Sequence, residues 1–403
     1  MPRRLLRLLV ALFVLICTVA APTAAAADPA GCDYKTAPPP PVDSSENPAP
    51  GQQPPTPLPV PAQPVGGSRM AECGPVIPPG AGHPPANQFE SWVLADLDTG
   101  QVLAAQDPHA RQRPASLIKV LLSLVVMREL KMDTVVTGTW DDANQDGTRV
   151  GIGPDGKYTN DQIFHALLMH SGNDCAYAFA MQLGGVDQTV AKMNALAKSV
   201  GALDTRTATP AGLDGPGMTS SAYDLALLFR LAMQDKRFAD AVSTEQLQFP
   251  GWGDKPGFIV ANDNPLLYNY EGDLGGKTGY TDDALHTYIN AAQRNGTRLV
   301  FVGTRGTMSP VTQMYSQSEP MMDYGFALKA TGAQPIGQLV DADPTAAKPS
   351  VTTAAPPPAQ SQHMLGSGQS ASGFSISTAL AVVALLVVIG GVVYVGLRRR
   401  RSS

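Results

Sequence analysis

The feature that most constrains the fold is the segment from Ser116 to Lys131, which has helical spacing and apolar residues on nearly every side. These apolar residues are Leu117, Ile118, Val120, Leu121, Leu122, Leu124, Val125, Val126 and Met127. A helix that is apolar all round must be buried on all sides. The sequence therefore predicts a central helix enclosed by other elements, which a chain of 403 residues is long enough to supply.

Strand patterns occupy both ends of the surrounding domain, and helix patterns lie between them. Strands are predicted for residues 91–97, 102–105, 286–292 and 297–302, with a further extended stretch from Lys277. Asn295-Gly296 predicts a type I′ hairpin turn between the last two strands. Helices are predicted for residues 161–169, 174–183, 187–200, 221–234 and 314–330. This order predicts an α+β fold in which the first and last strands share an antiparallel sheet, with helices on its faces.

Both ends of the chain carry membrane signals. Residues 1–27 have a basic start, an apolar run and an Ala-rich end, so they predict a signal peptide cleaved near Ala27. Residues 374–397 form an uncharged run of 24 residues, which is enough to span a bilayer as a helix. Four arginines follow directly, so residues 398–403 are predicted to be a cytoplasmic basic tail. We expect a single-pass cell-membrane protein whose main domain lies on the extracytoplasmic side.

Proline usage divides the rest of the chain. Of the 36 prolines, 17 fall between Pro38 and Pro85, where apolar periodicity is almost absent. Residues 28–87 are therefore predicted to be an extended, semi-rigid linker, and residues 338–373 a flexible one. One domain, residues 88–337, remains between the two linkers.

Cysteine usage agrees with export. Cys32 and Cys73 flank the Pro-rich stretch, so a disulfide between them is predicted in an oxidising compartment. Cys175 lies in a predicted helix among Ala and Phe residues and is expected to be a buried free thiol.

Composition and spacing exclude several classes of function. With 16% charged residues and a formal net charge of -5, the chain has too little basic surface for nucleic acid. No Cys or His spacing fits a zinc site. Residues from Asp142 resemble the start of a calcium loop, but the twelfth position is Gly153 where a Glu is required. We therefore predict no metal, no cofactor and no nucleic-acid partner.

Three short motifs occur in order, in helix, loop and strand contexts: Ser116-Leu117-Ile118-Lys119, Ser171-Gly172-Asn173 and Lys277-Thr278-Gly279. This set resembles the motifs of penicillin-binding proteins and class A β-lactamases, and that resemblance implies the roles that follow. A Ser hydroxyl is a weak nucleophile unless a base takes its proton. Lys119 lies one helical turn from Ser116, and burial with Lys277 nearby would lower its pKa. The first motif thus predicts a nucleophile and its base.

The second motif lies at a predicted break between two helices, where a loop can point side chains into a cleft. Ser171 would relay a proton between a lysine and the leaving amine. Asn173 would hold Lys119 and the substrate amide by hydrogen bonds.

The third motif is predicted to form a substrate-binding strand edge. Lys277 would place positive charge in the cleft, and Thr278 would bind a substrate carboxylate. Gly279 would let the strand approach a peptide closely, and the N–H of Tyr280 would form an oxyanion hole together with that of Ser116.

The motifs and their contexts resemble the low-molecular-mass penicillin-binding proteins, the serine D-alanyl-D-alanine carboxypeptidases, over about residues 88–335. Other similar stretches are Ala115-Ser116-Leu117, Gly172-Asn173-Asp174, Gly212-Leu213-Asp214, residues 220–226 and residues 277–282. The resemblance implies a β-lactamase/transpeptidase-like fold. It also implies that Ser116 attacks stem peptides of peptidoglycan between two terminal D-Ala residues, that water hydrolyses the acyl-enzyme, and that β-lactams acylate Ser116 as inhibitors.

The chain departs from this family in three places. Leu285 follows Ala284, where the family commonly has Gly, so the local turn geometry is in question. The interval between Gly337 and Phe374 is too short for the second, β-rich domain of many members. A spanning helix replaces the usual amphipathic anchor. In addition, either Arg298 or Arg305 is expected to help hold the terminal carboxylate.

Related activities remain as alternatives. A class A β-lactamase would need a Glu after the second motif, but none occurs between Asp174 and Thr244, so slow deacylation is expected. No Gly-x-Ser-x-Gly elbow supports a Ser-His-Asp hydrolase. A D,D-transpeptidase or endopeptidase would use the same acyl-enzyme, and a non-catalytic wall-binding protein is the alternative from another class. The lone small domain favours hydrolysis, by family analogy.

Overall fold

The computed structural model describes residues 32–340. The predicted signal peptide, membrane span and basic tail lie outside these residues, as does most of the predicted linker 338–373. Within residues 32–340, no helix is both long enough and apolar enough to cross a bilayer.

The predicted helices and strands occur in the predicted order, but short elements over residues 135–137, 140–143, 157–159, 236–243, 246–249, 258–261 and 266–269 were not predicted. The strands are β1 (Pro75–Val76), β2 (Phe89–Asp96), β3 (Gln101–Gln106), β4 (Val135–Thr137), β5 (Lys157–Thr159), β6 (Gln246–Phe249), β7 (Phe258–Ala261), β8 (Asp273–Thr281), β9 (Leu285–Arg294), β10 (Thr297–Gly306) and β11 (Gly337–Gln338). The α-helices are α1 (Lys119–Glu129), α2 (Trp140–Ala143), α3 (Asn160–Met169), α4 (Asn173–Gln182), α5 (Val186–Ser199), α6 (Ala222–Ala232), α7 (Lys236–Ser243), α8 (Leu266–Asn269), α9 (Val311–Ser316) and α10 (Ser318–Ala330). Two 3₁₀ turns cover Ser68–Ala71 and Ala115–Ile118.

The main sheet is antiparallel, with strand order β1-β3-β2-β10-β9-β8, and β11 also pairs with β3. Val302 of β10 lies opposite Val93 of β2 on one side and Ile289 of β9 on the other. Asn295 and Gly296 both have positive φ, as a type I′ turn requires. The predicted α+β fold, with its first and last strands in one sheet, is confirmed.

Alternate residues of β2 face two separate cores. Val93 and Ala95 join the larger cluster, which includes the apolar residues of α1, whereas Trp92 and Leu94 join the smaller one with α10. All residues of α1 from Lys119 to Met127 are buried, as predicted for a central helix. This helix begins later than predicted, because residues 115–118 form the 3₁₀ turn.

The predicted final helix over residues 314–330 is wrong in detail, because it is divided into α9 and α10 at Gln317. Pro320 occupies the first turn of α10. Proline has no N–H and fits the first turn of a helix but not its interior, so a new helix must begin just before it.

Residues 32–79, here called the amino-terminal strap, differ most from prediction. The expectation of a spacer over residues 28–87 is wrong for the part that the structure describes, because the strap packs on the domain that follows it. Met70 and Val76 are fully buried, and β1 pairs with β3. The predicted Cys32–Cys73 disulfide is present, and Cys175 is a buried free thiol as predicted.

The strap is held largely through its backbone carbonyls. Arg111 donates to the carbonyls of Thr36 (2.8 Å), Leu58 (2.6 Å) and Pro59 (3.0 Å). A proline-rich, extended backbone makes few internal hydrogen bonds, so its carbonyls need outside donors. At the other end, Leu339 is also fully buried, so the domain extends beyond its predicted end at residue 337.

Candidate active site

Ser116 lies in the 3₁₀ turn, not in the first turn of an α-helix as predicted. Ala115 has a φ of 47°, a left-handed conformation that a non-glycine residue rarely adopts. Two neighbours fix this turn. Thr287 Oγ1 of β9 donates to the carbonyl of Pro114 at 3.0 Å. Gly212 (φ 90°) packs so closely that an added Cβ would lie 2.1 Å from the carbonyl oxygen of Ala115.

Lys119 is fully buried, and its Nζ lies 2.8 Å from Ser116 Oγ. It also donates to Asn173 Oδ1 at 2.8 Å and to the carbonyl of Ala211 at 2.6 Å. Burial, reinforced by the charge of Lys277, holds the pKa of Lys119 well below its usual range. When this amine is neutral, its two N–H groups donate to the two carbonyl oxygens, and its lone pair is left to face Ser116 Oγ. This geometry suits removal of the Ser116 proton.

The second motif lies at the start of α4, where the structure brings Asn173 to Lys119. Asn173 Nδ2 donates to the carbonyl of Asp146 at 2.6 Å, which fixes the orientation of the amide. Ser171 is buried and has a φ of 62°. Among residues 32–340, its hydroxyl has no protein hydrogen-bond partner, so its proposed relay role remains a prediction.

Sequence reasoning assigned no role to Asp174, although it lies next to the second motif. Its buried carboxylate accepts hydrogen bonds from the backbone N–H groups of Val150, Gly151 and Ile152, at 2.7–3.0 Å. These bonds hold the loop whose residue Asp146 accepts from Asn173. The signal available in the sequence was an Asp directly after the Ser-Gly-Asn motif, at the start of an apolar helix.

The third motif lies on β8, the edge strand of the sheet. An added Cβ on Gly279 would lie 2.4 Å from Thr287 Oγ1 and 3.0 Å from the backbone nitrogen of Ser116. Only glycine therefore lets β8 lie this close to the nucleophile. Thr278 is buried, whereas Tyr280 is 53% exposed. The exposed edge of such a strand can pair with an extended peptide.

Lys277 is buried beneath this edge, and its Nζ donates to the carbonyl of Thr278 at 2.6 Å. Burial lowers the pKa of Lys277 to about 8, and the negative charge of Asp263 partly opposes this shift. Lys277 is therefore mainly cationic at neutral pH.

The loop from Ala211 to Asp214 links the motifs and was missed as a functional element. Its Ala211 carbonyl binds Lys119, and Asp214 Oδ1 accepts from Thr281 Oγ1 of β8 at 2.8 Å. These contacts involve a backbone carbonyl and a carboxylate far from the motifs in sequence, so spacing could not reveal them.

The two candidate arginines lie at opposite ends of β10. Arg298 faces Gln293 of β9, about 20 Å along the strand from Thr287, and it pairs with Asp98 at 2.9 Å. Its proposed role in substrate binding is therefore wrong. Arg305 lies at the site end, where it donates to Glu90 Oε1 at 2.8 Å and to the carbonyl of Asp283 at 3.2 Å.

Two groups of possible metal ligands occur among the described residues, and neither includes Ser116 or its partners. They are His109, Asp204 and Asp224, and Glu46, Asp214 and Asp283. In each group an arginine lies against a carboxylate: Arg111 Nε donates to Asp204 Oδ1 at 3.3 Å, and Arg113 binds Glu46. The charge of each group is thus balanced at least in part by a side chain.

Comparison with known proteins agrees with this geometry. A family model described as D-alanyl-D-alanine carboxypeptidase, peptidase family S11, matches residues 80–305. The chain belongs to this carboxypeptidase family. It is 42% identical over 267 residues to the D-alanyl-D-alanine carboxypeptidase DacB2 of Mycobacterium tuberculosis, covering 66% of this chain and 90% of the relative. With DacF of Bacillus subtilis it shares 30% identity, over 60% of this chain and 63% of the relative.

Solved structures of the family show the same fold. A crystal structure of a D-alanyl-D-alanine carboxypeptidase from Mycobacterium tuberculosis H37Rv superposes with a TM-score of 0.62 at 41% identity, covering 65% of this chain and 99% of that one. The Streptomyces K15 DD-transpeptidase gives a TM-score of 0.58 at 25% identity, covering 61% and 100%. The prediction of a serine-type carboxypeptidase of the penicillin-binding class is confirmed by these comparisons.

Proposed function

We propose that this chain removes the terminal D-Ala from peptidoglycan stem peptides through an acyl-enzyme on Ser116, and so limits cross-linking. The observation that carries the proposal is the Lys119 amine, 2.8 Å from Ser116 Oγ and otherwise hydrogen-bonded to carbonyl oxygens. A neutral amine in that position is a general base for the hydroxyl.

In the first half of the reaction, Ser116 Oγ forms a bond to the carbonyl carbon of the penultimate D-Ala as its proton passes to Lys119 Nζ. The bond from that carbon to the nitrogen of the terminal D-Ala then breaks. The leaving nitrogen receives a proton, with Ser171 as the proposed relay. The N–H groups of Ser116 and Tyr280 are proposed to stabilise the developing oxyanion.

In the second half, water adds to the acyl carbon and gives up a proton to the site. The bond from that carbon to Ser116 Oγ breaks, and the oxygen regains its proton. The products are the shortened stem peptide and free D-Ala, and the enzyme returns to its starting state. No cofactor or metal takes part in these steps.

Substrate orientation is proposed to come from β8. The stem peptide would lie along its edge, with the terminal carboxylate near Lys277 and the hydroxyl of Thr278. The cationic state of Lys277 at neutral pH supports this assignment, because the group it would bind is an anion. β-Lactams are proposed to occupy the same place and acylate Ser116.

Transpeptidation is the second candidate, favoured by the similarity to the Streptomyces K15 DD-transpeptidase. The two reactions share the first half and differ in whether water or an amine attacks the acyl-enzyme. We also propose that the enzyme is exported and anchored in the cell membrane through residues 374–397. The Cys32–Cys73 disulfide supports export, because such bonds persist in oxidising compartments.

The test combines labelling with turnover. The protein and its Ser116→Ala variant are treated with a penicillin and examined by intact mass and peptide mapping. A long-lived adduct on Ser116, absent from the variant, is expected. No adduct on folded wild-type protein would favour a non-catalytic wall-binding role, and rapid loss of the adduct would indicate a β-lactamase.

Turnover of a peptide ending in D-Ala-D-Ala, with and without an added amine acceptor, then separates the two activities. Release of D-Ala with a shortened peptide is expected for the carboxypeptidase. An amine-linked product as the main species would instead identify a transpeptidase.

A further inference from the structure

The amino-terminal strap precedes the region that matches the family, residues 80–305, yet it contacts the segment that leads directly to the nucleophile. Three basic residues at alternate positions in this segment, His109, Arg111 and Arg113, all bond to strap oxygens. The His109 ring lies 3.0 Å from the carbonyl of Val65, and Arg113 donates to the carbonyl of Pro39 at 2.8 Å.

Arg113 lies three residues before Ser116 and is 2% exposed. Its guanidinium binds the carboxylate of Glu46 in the strap through two parallel hydrogen bonds, one of them 2.8 Å from Nη2 to Oε2. Paired bonds of this kind fix both distance and orientation. Glu46 therefore anchors one wall of the site, the segment that carries Ser116.

The same part of the strap anchors the opposite wall. Asp283 is buried in the hairpin between β8 and β9, three residues after Tyr280. Its carboxylate accepts from the backbone N–H of Val42 and from Ser45 Oγ at 3.3 Å. Arg113 Nε also lies 4.0 Å from Asp283 Oδ2. Residues 39–46 thus touch both the segment before Ser116 and the end of β8.

We propose that Glu46 is a positioning residue for attack by Ser116, and that residues 39–46 of the strap set the separation between the nucleophile turn and β8. The two walls already meet as closely as glycine allows at Gly279. Because a misplacement of about 1 Å can reduce a reaction rate about 100-fold, a small change in this separation affects acylation. The inference rests on the proposed acyl-enzyme function.

The test measures acylation by a penicillin with the full-length protein in detergent, separating non-covalent binding from the acylation rate constant. Glu46→Gln is expected to lower the acylation rate constant about tenfold and to change binding less than about twofold. Glu72→Gln is the matched control, because Glu72 also pairs with an arginine, Arg69 (2.8 Å), but entirely within the strap. Its acylation is expected to stay within about twofold of wild type.

A second variant guards against loss of folding in the first. Val42→Pro removes the N–H that binds Asp283 and disturbs little packing, since Val42 is 69% exposed. It is expected to lower the acylation rate constant about threefold and to lower the melting temperature by only a few degrees, because one hydrogen bond to Asp283 is lost.

The outcomes separate the two proposals. If wild type forms no adduct on Ser116, the proposed function fails, and the strap inference fails with it because no acylation remains to be positioned. If wild type is labelled and both Glu46→Gln and Val42→Pro react at its rate, only the strap inference fails. Faster acylation in either variant would also overturn it, because the strap would then obstruct the site.

Discussion

Two buried basic side chains flank the nucleophile, Arg113 three residues before Ser116 and Lys119 three residues after it. Arg113 binds the carboxylate of Glu46, with Asp283 nearby. The hydrogen-bond partners of Lys119 are a hydroxyl and two carbonyl oxygens, with no carboxylate among them. Because Arg113 has carboxylate partners, it can serve as a structural cation. Because Lys119 has none, it can serve as a base.

The physical reason lies in the cost of burying charge. An ammonium group removed from water without a counter-ion is expensive, and a lysine can avoid the cost by releasing its proton. Arginine cannot release its proton in a protein, so burial obliges it to find an anion. The strap supplies that anion for Arg113.

Replacing Lys119 by Met should have the largest effect on catalysis. We expect acylation of Ser116 by a penicillin to fall about 10,000-fold, because no base remains for the hydroxyl. The free energy of unfolding should stay within about 2 kcal/mol of wild type, since lost hydrogen bonds are offset by removal of a buried amine. Mass-spectrometric labelling and urea denaturation check both values. Acylation within tenfold of wild type would assign the base elsewhere.

The same substitution at Arg113 should act mainly on stability. Arg113→Met leaves the carboxylate of Glu46 without its partner and removes the positive charge beside Asp283, so we expect a loss of about 3–5 kcal/mol in the free energy of unfolding. Acylation should fall only about tenfold, because Lys119 is unaltered. Urea denaturation and labelling of the two methionine variants show whether Arg113 acts mainly on stability and Lys119 mainly on acylation. Equal losses of acylation would show that Arg113 and Lys119 do not have separate roles.

Giving Lys119 a carboxylate partner should make it resemble Arg113, a buried cation paired with an anion. In Asn173→Asp the new charge raises the pKa of Lys119, so less neutral amine is present at pH 7. We expect acylation about 100-fold slower at pH 7, with partial recovery as the pH rises and the lysine loses its proton. Asn269→Asp, at an exposed position of the short helix α8, is the control. A deficit that does not change with pH would argue against this account of Lys119.

The features that were predicted correctly from the sequence depend on local patterns of residues. The all-apolar helix, the Asn295-Gly296 turn and the three motifs each depend on residues close together in the chain. The pairing of Arg113 with Glu46 joins residues 67 positions apart, one of them in a stretch whose composition resembles a spacer. Composition describes what such a stretch lacks, namely apolar periodicity, but not which donors its carbonyls and its two glutamates, Glu46 and Glu72, will meet.

Leu285 shows a different limit. The family commonly has glycine at this position, and the leucine put the turn geometry in question. The structure keeps the left-handed backbone, with a φ of 55° at Leu285. A non-glycine residue there costs about 1–2 kcal/mol, which the pairing of β8 with β9 on either side can offset. The strand pairing therefore holds Leu285 in a backbone conformation that leucine disfavours. From the sequence alone, only the mismatch between leucine and the expected glycine could be seen.

The smallest expected effect concerns the other lysine of the site. The proposed carboxylate contact needs Lys277 as a cation, and its pKa is lowered to about 8. The kcat/KM for a D-Ala-D-Ala peptide should therefore rise with pH as Lys119 loses its proton and then fall as the pH passes about 8. Arginine stays charged at all these values, so in Lys277→Arg the alkaline fall should disappear.

The level of activity in Lys277→Arg should be about tenfold lower at pH 7, because a planar guanidinium does not fit the place of an ammonium group. The ratio of variant to wild type should nevertheless improve about tenfold for each pH unit above the Lys277 pKa. A pH series of initial rates measures this ratio directly. If the alkaline fall persists in the variant, another group titrates there. The lowered pKa of Lys277 then reflects only the burial of its side chain.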